Sequence, residues 1–353
     1  MTVETAPTAG TQETTPTTPR RPEAPRRGAK VGLHRVVEAF GVQNLILVGA
    51  IILLTAAIGY QNPNFFLAAN LKTIGMAVTI SGLLAVVQTV VMIMGGIDIS
   101  VGSVAGLASV TSAMIFMSLG SVASVVGALA IGAVCGLVNG LIIVFGRVPP
   151  MITTLAGLAA FKGVAQLVSD GRAQGYTGAD PLYVFLARGS VLGVPTLIWI
   201  LALVALVMHF MLKYTRVGRN IYAVGGNDTA ARLAGVNINR YIIGVFMLVG
   251  VVAALAGVLI TARTGAGQPI SGSEGLEFQS ITAAALGGVA LRGGKGSIGG
   301  TILAVILLGV LLNGMTLLGV STFWQNVAQG VLLWGAVIIQ QARSGERRVG
   351  LPK

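Results

Sequence analysis

From residue 44 onward the chain is a succession of long apolar runs, broken at intervals by glycine, proline, asparagine and short charged patches. The stretch 99–146 contains no Asp, Glu, Lys or Arg, and neither does 296–342. Each is roughly 47 residues, and a helix crosses the hydrocarbon of a bilayer in about 20, so each encodes two helices joined by a tight turn. The first gives spans near 101–118 and 121–145, and the second gives 298–318 and 321–340. Charges and turn formers divide the remainder into 44–60, 71–94, 150–168, 194–213, 241–262 and 279–290. The pattern predicts an all-α, polytopic transmembrane helical bundle of about ten spans. The segment 279–290 is short for a crossing and is expected to be tilted into its neighbours or re-entrant.

Composition agrees: 54% of residues are hydrophobic, only 10% are charged, and the mean hydropathy is +0.85, which excludes an ordinary soluble domain. Basic residues orient the spans, because short cytoplasmic loops are enriched in Lys and Arg. With the amino terminus inside, one side collects Arg20, Arg21, Arg26, Arg27, Lys30 and Arg35, then Arg147, Lys213, Arg216, Arg219, Arg232 and Arg240. The same side receives Arg292, Lys295, Arg343, Arg347, Arg348 and Lys353, so both termini are expected in the cytoplasm. The net charge of +12 is then mostly a topology signal, with anionic membrane lipid as its partner and no call for nucleic acid.

Three regions follow. Residues 1–43, rich in Thr, Pro, Ala and Glu before a basic run, are expected to be a disordered cytoplasmic tail. Residues 44–341 form the transmembrane domain, with a cytoplasmic loop at 214–240, and 342–353 form a second basic tail. No cleavable signal peptide is expected before the first span, which is expected to act as its own insertion signal. Cys135 stands alone, and neither His34 nor His209 has a second ligand at metal-binding spacing. Gly132, Gly136 and Gly140 lie on one helix face and predict a close helix contact there.

Three segments suggest more than packing. Asp98 is the only charged residue between Lys72 and Arg147, in the string Gly95-Gly96-Ile97-Asp98-Ile99-Ser100-Val101-Gly102-Ser103. Either Asp98 or Ser100 caps the next helix, or the break is a discontinuous helix lining a conduction path. In the second segment, Pro149-Pro150 ends one helix and starts another. Around it Asn139, Thr153 and Thr154 are neutral hydrogen-bonding groups for helix contacts or solute contacts. Asn313 joins Asp98, Ser100, Asn139, Thr153 and Thr154 as a candidate path residue. The third is the loop 214–240, where Asn227, Asp228 or Thr229 can cap a short helix and Gly235 can end it. Such a helix is either plain surface structure or, with alanines that permit close approach, a docking element for a partner, and the second reading is preferred.

These motifs resemble the permease subunits of bacterial ATP-binding-cassette importers of the ribose, xylose and galactose type. The resemblance runs from about residue 70 to 340. It includes GGIDISVGS at 95–103, GLVNG at 136–140, RVPPMITTLAG at 147–157, AVGGNDTAARLAGVNI at 223–238, LGGVALRGGKGSIGG at 286–300 and LLNGMTLLGVSTFWQNVAQG at 311–330. Met151 departs from the phenylalanine usual after the paired prolines, and Lys162 stands where an arginine is common.

The resemblance implies a pair of permeases, a second copy or a paralogue, around one central path for a simple sugar. It also implies a cytoplasmic ATPase and an extracytoplasmic solute-binding protein. The loop 215–238 then looks like the ATPase-coupling element, with Arg216, Gly218, Arg219, Asn227, Ala231, Arg232 and Gly235 at the contact. The nearest approach to a phosphate loop, Gly293-Gly294-Lys295-Gly296-Ser297, has Val289 where a glycine is required and Gly296 where Ser or Thr must follow the lysine. ATP and magnesium therefore belong on a partner, with no cofactor, catalytic residue or metal on this chain. Related permeases move nucleosides, branched-chain amino acids or other small solutes such as polyols. A secondary transporter would need an intramembrane ion site, for which Asp98 is the one candidate; an intramembrane enzyme would need convergent ligands or nucleophiles that the chain lacks. Few charges are expected to face the membrane interior, so no strong sugar clamp is expected in the path.

Overall fold

The computed structural model describes residues 41–343, except Tyr176, Gly178 and Gly272, together with residues 1–3. The expected tails, and with them most of their basic residues, lie outside the described residues. Val42–Gln61 (α1) and a short 3-10 turn, Pro63–Phe66, lead into Ala68–Ile93 (α2), Val101–Phe145 (α3) and Pro150–Ser169 (α4). Pro181–Arg188 (α5) and the hairpin Ser190–Val191 (β1) with Val194–Pro195 (β2) precede Thr196–Tyr214 (α6), Arg216–Gly226 (α7) and Asp228–Leu233 (α8). Ile238–Thr264 (α9), Leu276–Leu286 (α10), Ile298–Leu317 (α11) and Thr322–Arg343 (α12) complete the chain.

Eight of these helices are long and apolar enough to cross a membrane. The 45-residue α3 is two crossings, because Gly120 at φ +80 and ψ 179 breaks the helix where the sequence placed a turn. The helices therefore match the expected spans, with one correction. One bound shifts: α10 covers 276–286, and its 11 residues reach about 16 Å, half the hydrocarbon thickness. Ahead of it lies a stretch of irregular backbone, residues 265–271 and 273–275. It runs along α3, with Gly267 against Val110, Pro269 against Gly106 and Ser273 against Gly102.

Contacts sort the connections to two ends. At one end Gly95 approaches Gly225 and Arg292, Gly96 packs on Pro150, and Gln340 donates to the carbonyls of Ala285 (2.9 Å) and Val289 (2.6 Å). At the other end Asn62 donates to the Leu317 carbonyl at 3.3 Å, and Gln174 pairs with Gly267. There Tyr183 of α5, fully buried, shares a 2.9 Å hydrogen bond with Ser124. Neither α5 nor the hairpin was legible as a span. Asp180 caps α5 by accepting from the backbone amides of Leu182 and Tyr183.

α2 is the centre of the bundle. Leu83, Leu84, Val86, Val87, Val90 and Val91 are fully buried on every side of it, as befits a helix apolar all round. α9 packs along both halves of α3. The face of Gly132, Gly136 and Gly140 is the close contact that its spacing predicted: a Cβ at Gly136 would run into the Phe246 carbonyl, and one at Gly140 would lie 2.9 Å from the Ile243 Cα. Backbone meets backbone there, so nothing flexible can give way. Gly136→Ala is expected to cost about 1–3 kcal/mol through overpacking and to lower the unfolding midpoint in detergent. Gly244→Ala on α9, where an added Cβ meets nothing within 4 Å, should leave it unchanged or raise it slightly.

Candidate functional site

The break between α2 and α3 folds into a buried knot of hydrogen bonds. Asp98, 3% exposed, accepts from the Ser100 backbone amide at 2.8 Å and from the Ser100 hydroxyl at 2.6 Å. Asn139, from the second half of α3, donates to Ser100 Oγ at 2.9 Å. Thr154 of α4 donates to the Ile97 carbonyl at 3.2 Å. With its amide oriented to match donors and acceptors, fully buried Gln88 brackets the Asp98 backbone, accepting from its N–H at 3.2 Å and donating to its C=O at 3.1 Å. Four of the six candidate path residues thus meet at one point. The carboxylate is closed off, and it ties the first turn of α3 to the break rather than facing open space.

Thr153 lies beside the knot, buried, with its hydroxyl lacking a hydrogen-bond partner. Asn313 is elsewhere: its amide and that of Asn70 exchange hydrogen bonds of 2.9 and 3.1 Å between α11 and α2, beside a separate cavity of about 330 Å³.

The loop 214–240 folds as two short helices; the second is capped at Asn227 and ended at Gly235 as its sequence proposed, and the first has its cap at Thr215, which the sequence reading did not single out. Thr215 Oγ1 accepts from the Gly218 amide at 3.2 Å to start α7, and Asn227 Oδ1 accepts from Ala230 at 2.9 Å to start α8. Gly235 ends α8 at φ +83, a conformation that favours glycine. Arg216, Arg219, Asn227 and Arg232 are exposed, and beside them Leu233 is 86% exposed. Gly218 and Ala231 face inward instead. Gly218 is wedged against the last carbonyls of α6, so these two small residues seat the element rather than touch a partner.

The C-terminus of α7 is pressed onto the knot. A Cβ at Gly225 would collide with the Ile93 carbonyl, which accepts from Gly294 N–H at 2.8 Å, and Tyr222 donates to the Gly296 carbonyl at 2.8 Å. The glycine-rich string 293–296 is thus committed to packing the two short helices against the ends of α2 and α11. Gly95 lies against Gly225 of α7, and Thr154 ties the Ile97 carbonyl to α4, so the break touches both.

Sequence reasoning missed a charged group at the start of α10. Lys162 of α4 pairs with Glu274 at 3.0 Å, the two side chains being 37% and 68% exposed. Glu277, 6% exposed, lies next to them on a cavity of about 160 Å³. Glu274 and Glu277 precede the segment read as a span and so passed for loop residues. The signal was available in Lys162, a lone cation well inside an apolar stretch.

The chain matches a family model described as branched-chain amino acid transport system / permease component over residues 70–337, and it belongs to that family. It is a multi-pass permease component of the bacterial cell membrane. It is 39% identical over 297 residues to the ribose import permease protein RbsC of Escherichia coli, covering 83% of this chain and 92% of that protein. The L-arabinose transport system permease protein AraH of Escherichia coli is 36% identical over 322 residues, 89% of this chain and 94% of its own. The L-arabinose ABC transporter permease protein AraH of Azospirillum brasilense is 35% identical over 321 residues, 91% and 92% of the two chains. No solved structure matches the chain.

Substitutions at Asp98 separate its cap from its charge. Asp98→Ala removes both bonds to Ser100 and should destabilise the detergent-solubilised protein by about 1–3 kcal/mol. Asp98→Asn, whose Oδ1 can still accept both, should lose less than half as much in the same thermal unfolding measurement. Equal losses would show that the charge, not the cap, holds the break.

Proposed function

We propose that this chain is the membrane-spanning permease subunit of an ATP-driven importer, forming the path for a simple sugar delivered by an extracytoplasmic binding protein. The observation that carries the reading is the element α7–α8: exposed arginines and Leu233 outside the spans, on a base locked by backbone contact to the centre of the bundle. Such a surface suits docking of a motor, and its seating suits transmission of the motor's stroke. Arg147, Lys213, Arg216, Arg219, Arg232, Arg240, Arg292 and Lys295 gather at this end, which is accordingly the cytoplasmic one, with both termini on that side and anionic lipid against it.

ATP and magnesium bind the partner ATPase. The nearest phosphate-loop string here spends the Gly294 amide on Ile93, so this chain contributes the path and not the hydrolysis. A second permease, a copy or a paralogue, completes the path. The sugar reading is supported by relatives whose names specify ribose and L-arabinose, and it is preferred over branched-chain amino acids, which only the family description mentions. A cycle follows: a loaded binding protein docks outside, ATP moves the α7–α8 elements inside, and α4 shifts with the knot to alternate access.

Two experiments test this. Purified alone in liposomes, the chain should show no concentrative uptake under a proton or sodium gradient; uptake of labelled ribose or arabinose should require ATP, the ATPase and the binding protein. Gradient-driven uptake by the chain alone would overturn the importer reading. Gly235→Val forces a β-branched residue to positive φ, a strain of roughly 1–2 kcal/mol, and Arg232→Glu reverses an exposed charge. Both should insert normally yet retain much less ATPase on purification. Wild-type retention and transport in both variants would move the docking site elsewhere.

A further inference from the structure

The crossing made by residues 265–286 puts charge at mid-membrane depth. Lys162 is 12 residues into α4, about 18 Å from its cytoplasmic end. Glu274 stands just before α10, whose 11 residues rise about 16 Å from the same end, so the two agree in depth. At that depth the Lys162–Glu274 pair is part exposed on the surface of the single chain. Turned toward lipid, each charge would cost roughly 2.5–3.5 kcal/mol or more. Irregular backbone such as 265–275 is likewise tolerated at this depth only against protein or water. This face is therefore turned away from lipid.

What it presents is a lined recess. The cavity of about 160 Å³ is bounded by Ser103 of α3, Leu158 and Lys162 of α4, and Ser273, Glu274 and Glu277 of the broken crossing. Room for the Glu277 carboxylate exists because residue 102 is glycine; a Cβ there would run into that carboxylate and sit 2.8 Å from the Ser273 carbonyl. Carboxylates and backbone carbonyls accept hydrogen bonds, while the lysine and the serine hydroxyls donate them. Two carboxylates against one ammonium leave the recess without surplus positive charge, which repels carboxylate and phosphate anions and suits a neutral molecule rich in hydroxyls. The recess is smaller than the roughly 300 Å³ of common small-molecule sites, and two copies facing across a two-fold axis would double it.

We propose that Lys162, Glu274 and Glu277, with Ser103 and Ser273, form a water-lined transit site for a neutral polyhydroxyl solute, completed by the facing permease. The proposal rests on the importer reading above. The recess has no aromatic platform among its lining residues, which keeps binding weak and release easy.

The test uses the assembled transporter, with its ATPase and binding protein, in proteoliposomes. Glu277→Gln keeps the side-chain shape and removes the charge, and should lower ribose or arabinose carried per ATP hydrolysed by roughly tenfold, with ATPase rate and co-purification unchanged. Glu277→Asp, which keeps the charge, should recover most of the coupling. Separately, Leu158→Cys in a Cys135→Ala background should be modified by a membrane-impermeant charged methanethiosulfonate reagent, and saturating sugar should slow that modification. An unmodified Leu158→Cys, or an unchanged sugar-to-ATP ratio in Glu277→Gln, overturns the site. If the wild-type assembly carries neither sugar while Leu158→Cys is still modified, the sugar reading falls and the water-lined recess stands.

Discussion

Inside a bilayer no solvent competes for a backbone amide, so every N–H and C=O that leaves a helix ladder must find its partner within the protein. The break at 94–100 is built around that requirement. Gly95 N–H returns to Met92 and Gly96 N–H to Val91, the Ile93 carbonyl is taken by Gly294, and the Ile97 carbonyl by Thr154. Gln88 accepts from the Asp98 N–H, and Asp98 from the Ser100 N–H. Gln88 comes from α2, Thr154 from α4 and Gly294 from the turn before α11, so satisfying the break also fixes these parts against one another.

That arrangement relates stability to transport. A knot closed by hydrogen bonds and backbone contact is stiff, and it lies between the exposed arginines of α7–α8 and the first turns of α4. Twelve residues further along α4 stands Lys162, on the polar face of the broken crossing. Asp98 and its neighbours hold the break, the first turns of α4 and the second half of α3 together. Under the proposed cycle, the charge that meets a solute lies farther in, where α10 gives way to irregular backbone.

The candidate residues divided accordingly. Asp98, Ser100, Asn139 and Thr154 share one setting, polar groups in apolar surroundings, and their convergence reflects that shared need for partners. Asn313 answers the same need by pairing with Asn70 far from the break. Within the loop, the capping residue Asn227 and the terminating Gly235 act locally and could be placed from local chemistry alone. The inward positions of Gly218 and Ala231 could not, because burial depends on which helix end lies beneath them.

Apolar run length, charge placement and glycine spacing by themselves determined the bundle, the break within 99–146, the Gly132–Gly136–Gly140 contact and the capped helices outside the spans. These are properties of local periodicity and of the bilayer's thickness, which a linear sequence records directly. Only the tertiary structure decided the partners of Asp98, and only it brought Glu274 and Glu277 beside Lys162. Hydropathy cannot distinguish a loop outside the bundle from irregular backbone packed against its helices. That distinction rests on neighbouring α3 glycines, remote in sequence, which leave room for the chain to pass.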